Sequence, residues 1–542
     1  MQLHQLPLEI LMQTTSYLDS SDAVKLSSCS KQFLSLRRFV FGNSAVVLSS
    51  EVETVPQFIK DYTQCVQVIA SNDDKTLKLQ SKLLETFSNI QLLIIIHHET
   101  YLNIGFLSKF SHIPKLYLHA LRIQNFSVLS SFIHLKDLYL SANNFDPLHI
   151  LQYGLNFNVI ARLPNLRKLL IRSIIVSRYM TNLCTMTQLE DLTLINTKTN
   201  DISGLSTMVN LINLNLTGGP ISDITALKNL KKLKVLKLVR WDLLLIDTTL
   251  IDPTPLVHMT NLVELELYGY RITDISFLPF LQNLKWLSLQ NNKISDLSPL
   301  KSLTKLEYLN MSTNQITDIS VLSNLIKLKT LMLQRNRIKD ISRLRYLVEL
   351  NELKLNVNRV VDITPIAELK KLETLEMSFN MIKECNGLAG LVRLKKLNLS
   401  NNQINCIESF KNLRNLNSLA VSDNSISDIT PLSKLVKLKV LNLSRNNISN
   451  VSPLSSLVKL DTLELDYNSV EDISPLSNLP KLKPLHLKVI ARQIENKTLR
   501  KAGIKPMAIS KQLGIKYGTI KGYLHRLKLN ETLPPKVQEN VA

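Results

Sequence analysis

Residues 284–294 read LKWLSLQNNKI, and this stretch decides the fold because its pattern returns at a fixed spacing. The pattern is Leu-x-x-Leu-x-Leu-x-x-Asn-x-Ile, and a leucine holds its first position every 22 residues from Leu262 to Leu482. A fixed period of this size predicts a solenoid, in which each coil buries its apolar side against neighbouring coils only. Because such a chain displays a long surface, we expect binding rather than catalysis.

Three features of the repeat predict its local structure. The Leu-x-Leu core alternates apolar and variable residues, which predicts a short strand. One asparagine keeps its place in nine successive coils, from Asn292 to Asn468, and a stacked, inward-facing amide can pair backbone groups where the chain leaves each strand. The following Asp-Ile/Leu-Ser/Thr-Pro-Leu, as in 296–300, favours a short helical turn that Ser or Thr caps and Pro begins.

These repeats resemble the 22-residue class of leucine-rich repeats, which includes a regulator of type-1 protein phosphatase and the bacterial internalins. The resemblance implies an α/β solenoid, a leucine-rich repeat horseshoe with short parallel strands on its concave face and small helical domains at both ends. Two longer units predict loops at 143–160 and 241–254. Earlier coils drift, but together they extend the array to about 18 units over 90–488, with anchors at Ile90, Ile113, Leu135, Leu166, Leu189, Leu211 and Leu233.

Composition and charge restrict the compartment and the partners. The formal net charge is +21, and much of the excess lies in single basic residues before the anchors, such as Lys305 and Lys327, which is typical of a solvated surface. The five cysteines show no paired spacing, the first residues lack the regions of a signal peptide, and no apolar stretch approaches a membrane span. We therefore expect a cytoplasmic or nuclear protein without membrane contact.

The amino-terminal residues 1–45 carry a second pattern, which begins with LPLEIL at 6–11 and continues through 36. This pattern resembles an F-box, the module that docks on the Skp adaptor of cullin-type ubiquitin ligases. By this resemblance, the adaptor contacts or the small core behind them would come from Leu6, Pro7, Ile10, Leu11, Leu18, Leu26 and Phe33. Residues 46–89 are interpreted as a linker or amino-terminal cap. The alternative for the whole segment is a helical cap that closes the open end of the stack.

The carboxyl-terminal residues 489–542 leave the repeat pattern and hold eleven basic and three acidic residues. Within 489–530, ahead of a tail at 531–542, the spacing of apolar residues around Gly514 resembles a helix-turn-helix. Such a motif would present its second helix to nucleic acid. The candidate contacts are Lys511, Lys516, Tyr517, Thr519, Lys521 and Arg526. The alternative is a helical cap whose basic side chains face water.

The variable residues of the Leu-x-Leu strands line the predicted concave face. Large apolar groups concentrate at Tyr268, Trp286, Tyr308 and Met332, and we expect a client protein to bind there because aromatic and Arg side chains dominate interface energies. Arg335, Arg337 and Arg359 are candidates for the rim of this site.

The function predicted from the sequence is protein–protein interaction. More specifically, an F-box-type substrate receptor would engage a Skp-type adaptor through its amino-terminal segment and hold a client on its repeats. No phosphate-binding loop or metal motif is recognisable, so no cofactor, metal site or catalytic residue is expected. The alternatives are a nucleic-acid-associated repeat scaffold that uses the carboxyl-terminal segment, and a scaffold similar to the phosphatase regulator.

Overall fold

The computed structural model describes residues 45–48, 65–70, 80–87, 89–97, 102–120, 123–142, 156–240, 251–477 and 479–482. The chain forms two compact units, unit 1 (Met1–Ile294) and unit 2 (Ser295–Ala542). Among the described residues, no helix has the length and apolar character needed to cross a membrane.

Unit 1 contains thirteen described strands. Ten parallel pairings join eleven of them in the order β1, β2, β3, β5 and β7 to β13, while β4 and β6 form a separate parallel pair. The strands are β1 (Ala45–Leu48), β2 (Cys65–Ile69), β3 (Leu92–Ile96), β4 (Leu102–Asn103), β5 (Lys115–His119), β6 (Ile123–Gln124), β7 (Asp137–Ser141), β8 (Lys168–Arg172), β9 (Asp191–Ile195), β10 (Asn213–Thr217), β11 (Val235–Val239), β12 (Glu264–Tyr268) and β13 (Trp286–Ser288).

Unit 2 contains eight described strands, and each pairs in parallel with the next without a slip in register. They are β14 (Tyr308–Asn310), β15 (Thr330–Met332), β16 (Glu352–Lys354), β17 (Thr374–Glu376), β18 (Lys396–Asn398), β19 (Ser418–Ala420), β20 (Val440–Asn442) and β21 (Thr462–Glu464).

Short helices follow the strands in both units, and most of them are 3-10 helices. The described residues of unit 1 include the α-helices α1 (Phe157–Ala161) and α2 (Met180–Leu183), and residues 80–84 are also helical. Its 3-10 helices are Gly105–Phe110, Phe126–Ser131, Ser177–Tyr179, Ser203–Thr207, Thr225–Asn229, Thr254–His258 and Leu278–Phe280. Those of unit 2 are Ser298–Ser302, Ser320–Asn324, Ser342–Tyr346, Thr364–Glu368, Asn386–Leu388, Glu408–Asn412, Thr430–Lys434, Ser452–Ser456 and Ser474–Leu476. The α/β solenoid class predicted from the repeat is thus confirmed within each unit.

The core of each coil is built from the predicted leucines. In the coil that begins at Leu328, the side chains of Leu328, Leu331 and Leu333 are fully buried, as is Leu344 of the 3-10 helix. Because a coil buries these residues only against its neighbours, truncating one of them to alanine would cost about 2–5 kcal/mol.

The asparagine of the repeat faces inward, as predicted, and links neighbouring coils. The Asn358 Nδ2 donates to the Leu333 carbonyl of the preceding coil at 2.9 Å and to the Leu355 carbonyl of its own coil at 3.1 Å. Its Oδ1 accepts from the Ile338 backbone N–H at 3.0 Å. One side chain therefore pairs three buried backbone groups that leave the strand ladder.

The predicted serine or threonine cap of the helical turn is wrong. Ser298 is the first residue of its 3-10 helix, and the residue before it, Leu297, makes no side-chain cap bond. Instead, the Asp296 carboxylate accepts from the Ser298 N–H and from the Ser298 hydroxyl, both at 2.8 Å. The aspartate two residues before the serine is thus the group that pairs the free N–H at the start of the turn.

Residues 46–89 are interpreted above as a linker or cap. They include all of β1 except its first residue, Ala45, and the whole of β2. Both continue the parallel ladder that runs into β3. The first anchor assigned from the sequence, Ile90, is therefore preceded by two further strands. The predicted loops at 143–160 and 241–254 lie mostly outside the described residues, as do the helical domains expected at both ends of the chain.

Candidate protein-interaction surface

The strand face of each unit consists of side chains that alternate with the buried leucines. On β12, Leu265 and Leu267 are fully buried, whereas Glu264, Glu266 and Tyr268 between them are half-buried. This alternation follows from the two-residue period of a strand. The residues predicted for a client site on the strands therefore do point away from the core.

In unit 1, the predicted Trp286 belongs to a charged cluster. The Lys237 ammonium lies 5.3 Å from the centre of the Trp286 ring, a distance at which a cation is attracted to an aromatic face. Burial raises the pKa of the Glu266 carboxyl, and the positive charge of Lys237 opposes that rise. An aromatic ring, an ammonium and a half-buried carboxyl thus share this part of the strand face, and Tyr268 ends the same strand as Glu266.

In unit 2, Tyr308 and Met332 lie on neighbouring strands and contact each other. The Tyr308 hydroxyl donates to the Met332 sulfur at 3.5 Å. Next to them, Lys354 lies 3.1 Å from a Glu352 carboxylate oxygen and 3.7 Å from one of Glu376. Of the four large apolar residues predicted for the client site, Tyr268 and Trp286 belong to unit 1, and Tyr308 and Met332 belong to unit 2.

The three arginines predicted for the rim lie on turns at the ends of the strands. Arg335 and Arg337 follow β15 and Arg359 follows β16, so all three stand on turns after the strands, and all are exposed. Arg335 has a φ of 57°, in the left-handed region. These arginines belong to the edge where the strands end rather than to the strand face.

Sequence reasoning missed an aromatic cluster in the irregular coils of unit 1. The rings of Tyr117 and Tyr139 lie 6.1 Å apart, and Tyr117 stacks on His119 at 6.5 Å. The Ser141 hydroxyl lies 3.0 Å from the Tyr117 hydroxyl and 2.5 Å from the His119 Nδ1. Burial, followed by the negative charges of Asp137 and Asp191, raises the pKa of Tyr139 to about 12. The signal was present, because all four residues occupy variable strand positions after the anchors Ile113 and Leu135.

Within the described residues, the side chains that could suggest a metal site or a reactive thiol have structural explanations. No group of three or more His, Cys, Asp or Glu in this part of the chain could hold a metal ion. His97 is buried with its Nδ1 3.1 Å from the Ala70 carbonyl, and burial raises the pKa of Cys385 to about 12, far from that of a reactive thiolate. Both side chains fit a structural role.

The predicted adaptor-binding residues, from Leu6 to Phe33, and the predicted nucleic-acid contacts, from Lys511 to Arg526, lie outside the described residues. Their roles remain predictions. For the first set, however, the sequence comparison below is informative.

Comparison with known families identifies both kinds of module. The profile described as leucine-rich repeats in two copies matches residues 282–324, 370–412 and 414–456. The F-box domain profile matches residues 3–36. No curated protein sequence matches the chain.

Several solved structures are similar. An internalin from Listeria monocytogenes is 34% identical, with 58% of this chain and 85% of that chain covered and a TM-score of 0.48. A leucine-rich repeat protein of Leptospira interrogans is 22% identical, with 73% and 98% covered and a TM-score of 0.56. A plant peptide hormone receptor is 17% identical, with 81% of each chain covered and a TM-score of 0.53. The similarity to the Leptospira protein and to the plant receptor shows the fold alone. The repeat geometry and both profile matches agree: the chain belongs to the leucine-rich repeat proteins and carries an F-box domain at residues 3–36.

Proposed function

We propose that this chain is the substrate receptor of a cullin-type ubiquitin ligase, in which the F-box binds a Skp-type adaptor and the repeats bind a client protein. The observation that supports the proposal is the pairing of an F-box match at 3–36 with a repeat array that displays half-buried aromatic side chains. The chain itself would break no bond, and its work would be to bring two proteins together inside the cell.

Each module has candidate contact residues. Leu6, Pro7, Ile10 and Leu11 belong to the F-box pattern and are the proposed adaptor contacts, together with Leu18, Leu26 and Phe33. For the client, Trp286 in unit 1 and Tyr308 in unit 2 are the proposed anchors. Each is held by a neighbouring side chain, Lys237 and Met332 respectively, so little conformational freedom would be lost on binding.

Co-purification tests the adaptor half of the proposal. The full chain should retain a Skp-type adaptor under native conditions, and the double substitution Leu6→Ala/Pro7→Ala should abolish that retention. The matched control is Trp286→Ala, which should leave the adaptor bound while reducing client capture. Failure of the unmodified chain to retain the adaptor would remove the ligase assignment.

A further inference from the structure

An exposed apolar patch lies on unit 2 where the chain leaves the strands, and its members are Val357, Val361, Phe379 and Met381. Their exposed fractions are 38%, 51%, 56% and 47%, whereas Val360 and Ile382, adjacent to them in sequence, are fully buried. Backbone hydrogen bonds place the two coils side by side, since Val357 N–H donates to Ser378 and Met381 N–H donates to Val360. An apolar patch of this kind marks an interaction site on soluble proteins.

The backbone under this patch argues against a packing role for its side chains. The position seven residues after the anchor is left-handed in the eight described coils of unit 2 that begin at Leu306 to Leu460, and three of them fill it with Thr, Asn or Asp. Val357 and Phe379 hold it at φ of 57° and 55°. A β-branched residue is strongly disfavoured there, and neither side chain recovers the cost by burial.

Five cations surround the apolar patch on the same three coils: Arg335, Arg337, Lys339, Arg359 and Lys383. All are exposed, and none of them has an ion pair or side-chain hydrogen bond with a described residue. Nearby carboxylates are engaged elsewhere. Asp340 and Asp362 accept from the serine and threonine that begin their 3-10 helices, and Glu376 lies beside Lys354 and Asn356. The remaining acidic residue next to these cations in the sequence is Glu384, which follows Lys383.

Another part of the same edge shows the contrasting arrangement. Arg445 stands in the same position of its coil as Arg335, but its guanidinium lies 4.3 Å from the ring centre of Tyr467. Its Nε lies 3.6 Å from an Asp423 carboxylate oxygen. There the chain pairs its own cation with its own carboxylate and ring. Around Val357 and Phe379 the corresponding carboxylate is missing from the described residues.

From this geometry we infer that the patch and its five cations dock an acidic, extended segment of a partner protein, with bulky apolar side chains between its carboxylates. The carboxylates would take the place that Asp423 occupies beside Arg445, and the apolar side chains would cover Phe379 and Met381. This deepens the proposed client binding and rests on it only in assuming a protein partner, since the adaptor plays no part. The docking edge is distinct from the strand face that bears Tyr308 and Met332.

Fluorescence anisotropy on the full chain tests the inference, with a labelled synthetic peptide in which Asp or Glu alternates with Phe or Leu. The charge reversal Arg335→Glu/Arg359→Glu should weaken binding by roughly tenfold or more, because like charges would then face each other. Val357→Asn/Phe379→Asn should weaken it as well. Asparagine is accepted in the left-handed conformation, so this second variant should melt at the same or a higher temperature than the parent.

Matched controls distinguish the possible results. Arg445→Gln, in the self-paired part of the edge, should leave the peptide affinity unchanged, and so should Leu6→Ala/Pro7→Ala, which tests the adaptor proposal alone. The inference is overturned if the peptide does not bind, or if binding survives the charge reversal. It is also overturned if single-stranded DNA binds equally well and the asparagine variant has no effect, because the surface would then recognise any polyanion.

Discussion

The coils of unit 2 and most coils of unit 1 complete the same turn by different means. In unit 2 the strands are three residues long, and beyond them carbonyls such as that of Leu333 accept from asparagine side chains at 3.0 and 2.9 Å. In unit 1, β7 to β12 are five residues long and pair over their full length. There the asparagine position holds other residues, including Thr197, Gly219 and Tyr270.

This difference shows what the amide contributes. An asparagine side chain that pairs three backbone groups can replace the last hydrogen bonds between neighbouring strands. It does so in every coil in which the repeat supplies the asparagine. Where the asparagine is absent, the hydrogen bonds between strands continue over more residues. Each coil then completes the turn after its strand with different side chains. Thr197 and Thr199 pair their hydroxyls at 2.8 Å, whereas Gly219 lets two backbones approach closely. We therefore expect the two regions to respond differently to substitution at the same repeat position.

The largest effect should come from Asn358→Ala in unit 2. The change leaves the buried Ile338 N–H without its acceptor. It also removes one of the two amide donors to the Leu333 carbonyl and to the Leu355 carbonyl, which keep those of Asn336 and Asn380. At about 1–3 kcal/mol for the unpaired N–H and about 1 kcal/mol for each of the two other lost hydrogen bonds, we expect a loss of about 3–5 kcal/mol in the free energy of unfolding.

Urea unfolding measures this loss, and hydrogen exchange of the Ile338 amide reports it locally. Asn412→Ala, at an exposed asparagine in the same unit, is the control and should change stability by less than about 0.5 kcal/mol. Equal effects of the two substitutions would contradict the role assigned to the amide.

In unit 1 the corresponding position is sensitive for a steric reason. A Cβ added to Gly219 would lie 1.9 Å from the Thr199 carbonyl oxygen, which is backbone and cannot rotate away. Gly219→Ala should therefore cost about 3 kcal/mol, measured by thermal or urea unfolding. Gly390→Ala is the matched control, because its Cβ would meet only the mobile end of the Lys370 side chain. A small effect at Gly219 would mean that the two coils separate easily.

The period in the sequence was sufficient to predict the strands, the anchors and the inward asparagine, because each repeats a local chemical requirement. It did not reveal that the residue before the asparagine is left-handed, since residues as different as Asn401 and Val357 occupy that position. In unit 1, the drift of the repeat concealed the cluster around Tyr117 and Tyr139, which depends on contacts between coils.

A smaller, stabilising change should follow from Tyr270→Phe in the asparagine position of unit 1. Tyr270 is fully buried, and its hydroxyl has no hydrogen-bond partner among the described residues. Removing an unpaired buried hydroxyl while the ring stays in place should raise the free energy of unfolding by about 1 kcal/mol. Tyr308→Phe, which removes a hydroxyl that donates to Met332, should not stabilise. Destabilisation by Tyr270→Phe would instead show that the hydroxyl is paired in solution.

The smallest effect concerns the aspartate turn, which both regions share. The hydroxyl and the N–H of Thr430 donate to the Asp428 carboxylate and hold its pKa below the ordinary value of 3.8. A lowered pKa in the folded state means that the contribution to stability is present above about pH 4 and is lost as the pH falls through the folded pKa. Asn450 fills the same place in the next coil and accepts from Ser452 N–H at 2.9 Å, so an amide can make the turn.

Asp428→Asn should therefore be slightly destabilising at pH 7 and less destabilising at pH 3, as measured by the urea midpoint at each pH. The difference stays small because the carboxylate is solvated, and ionic screening weakens its interactions further. Thr430→Ala in the Asp428→Asn background should have the same effect at both pH values, because an amide does not titrate in this range. If Asp428→Asn instead lowered the midpoint equally at pH 7 and pH 3, charge would be irrelevant to the turn, and geometry alone would explain the aspartates of both regions.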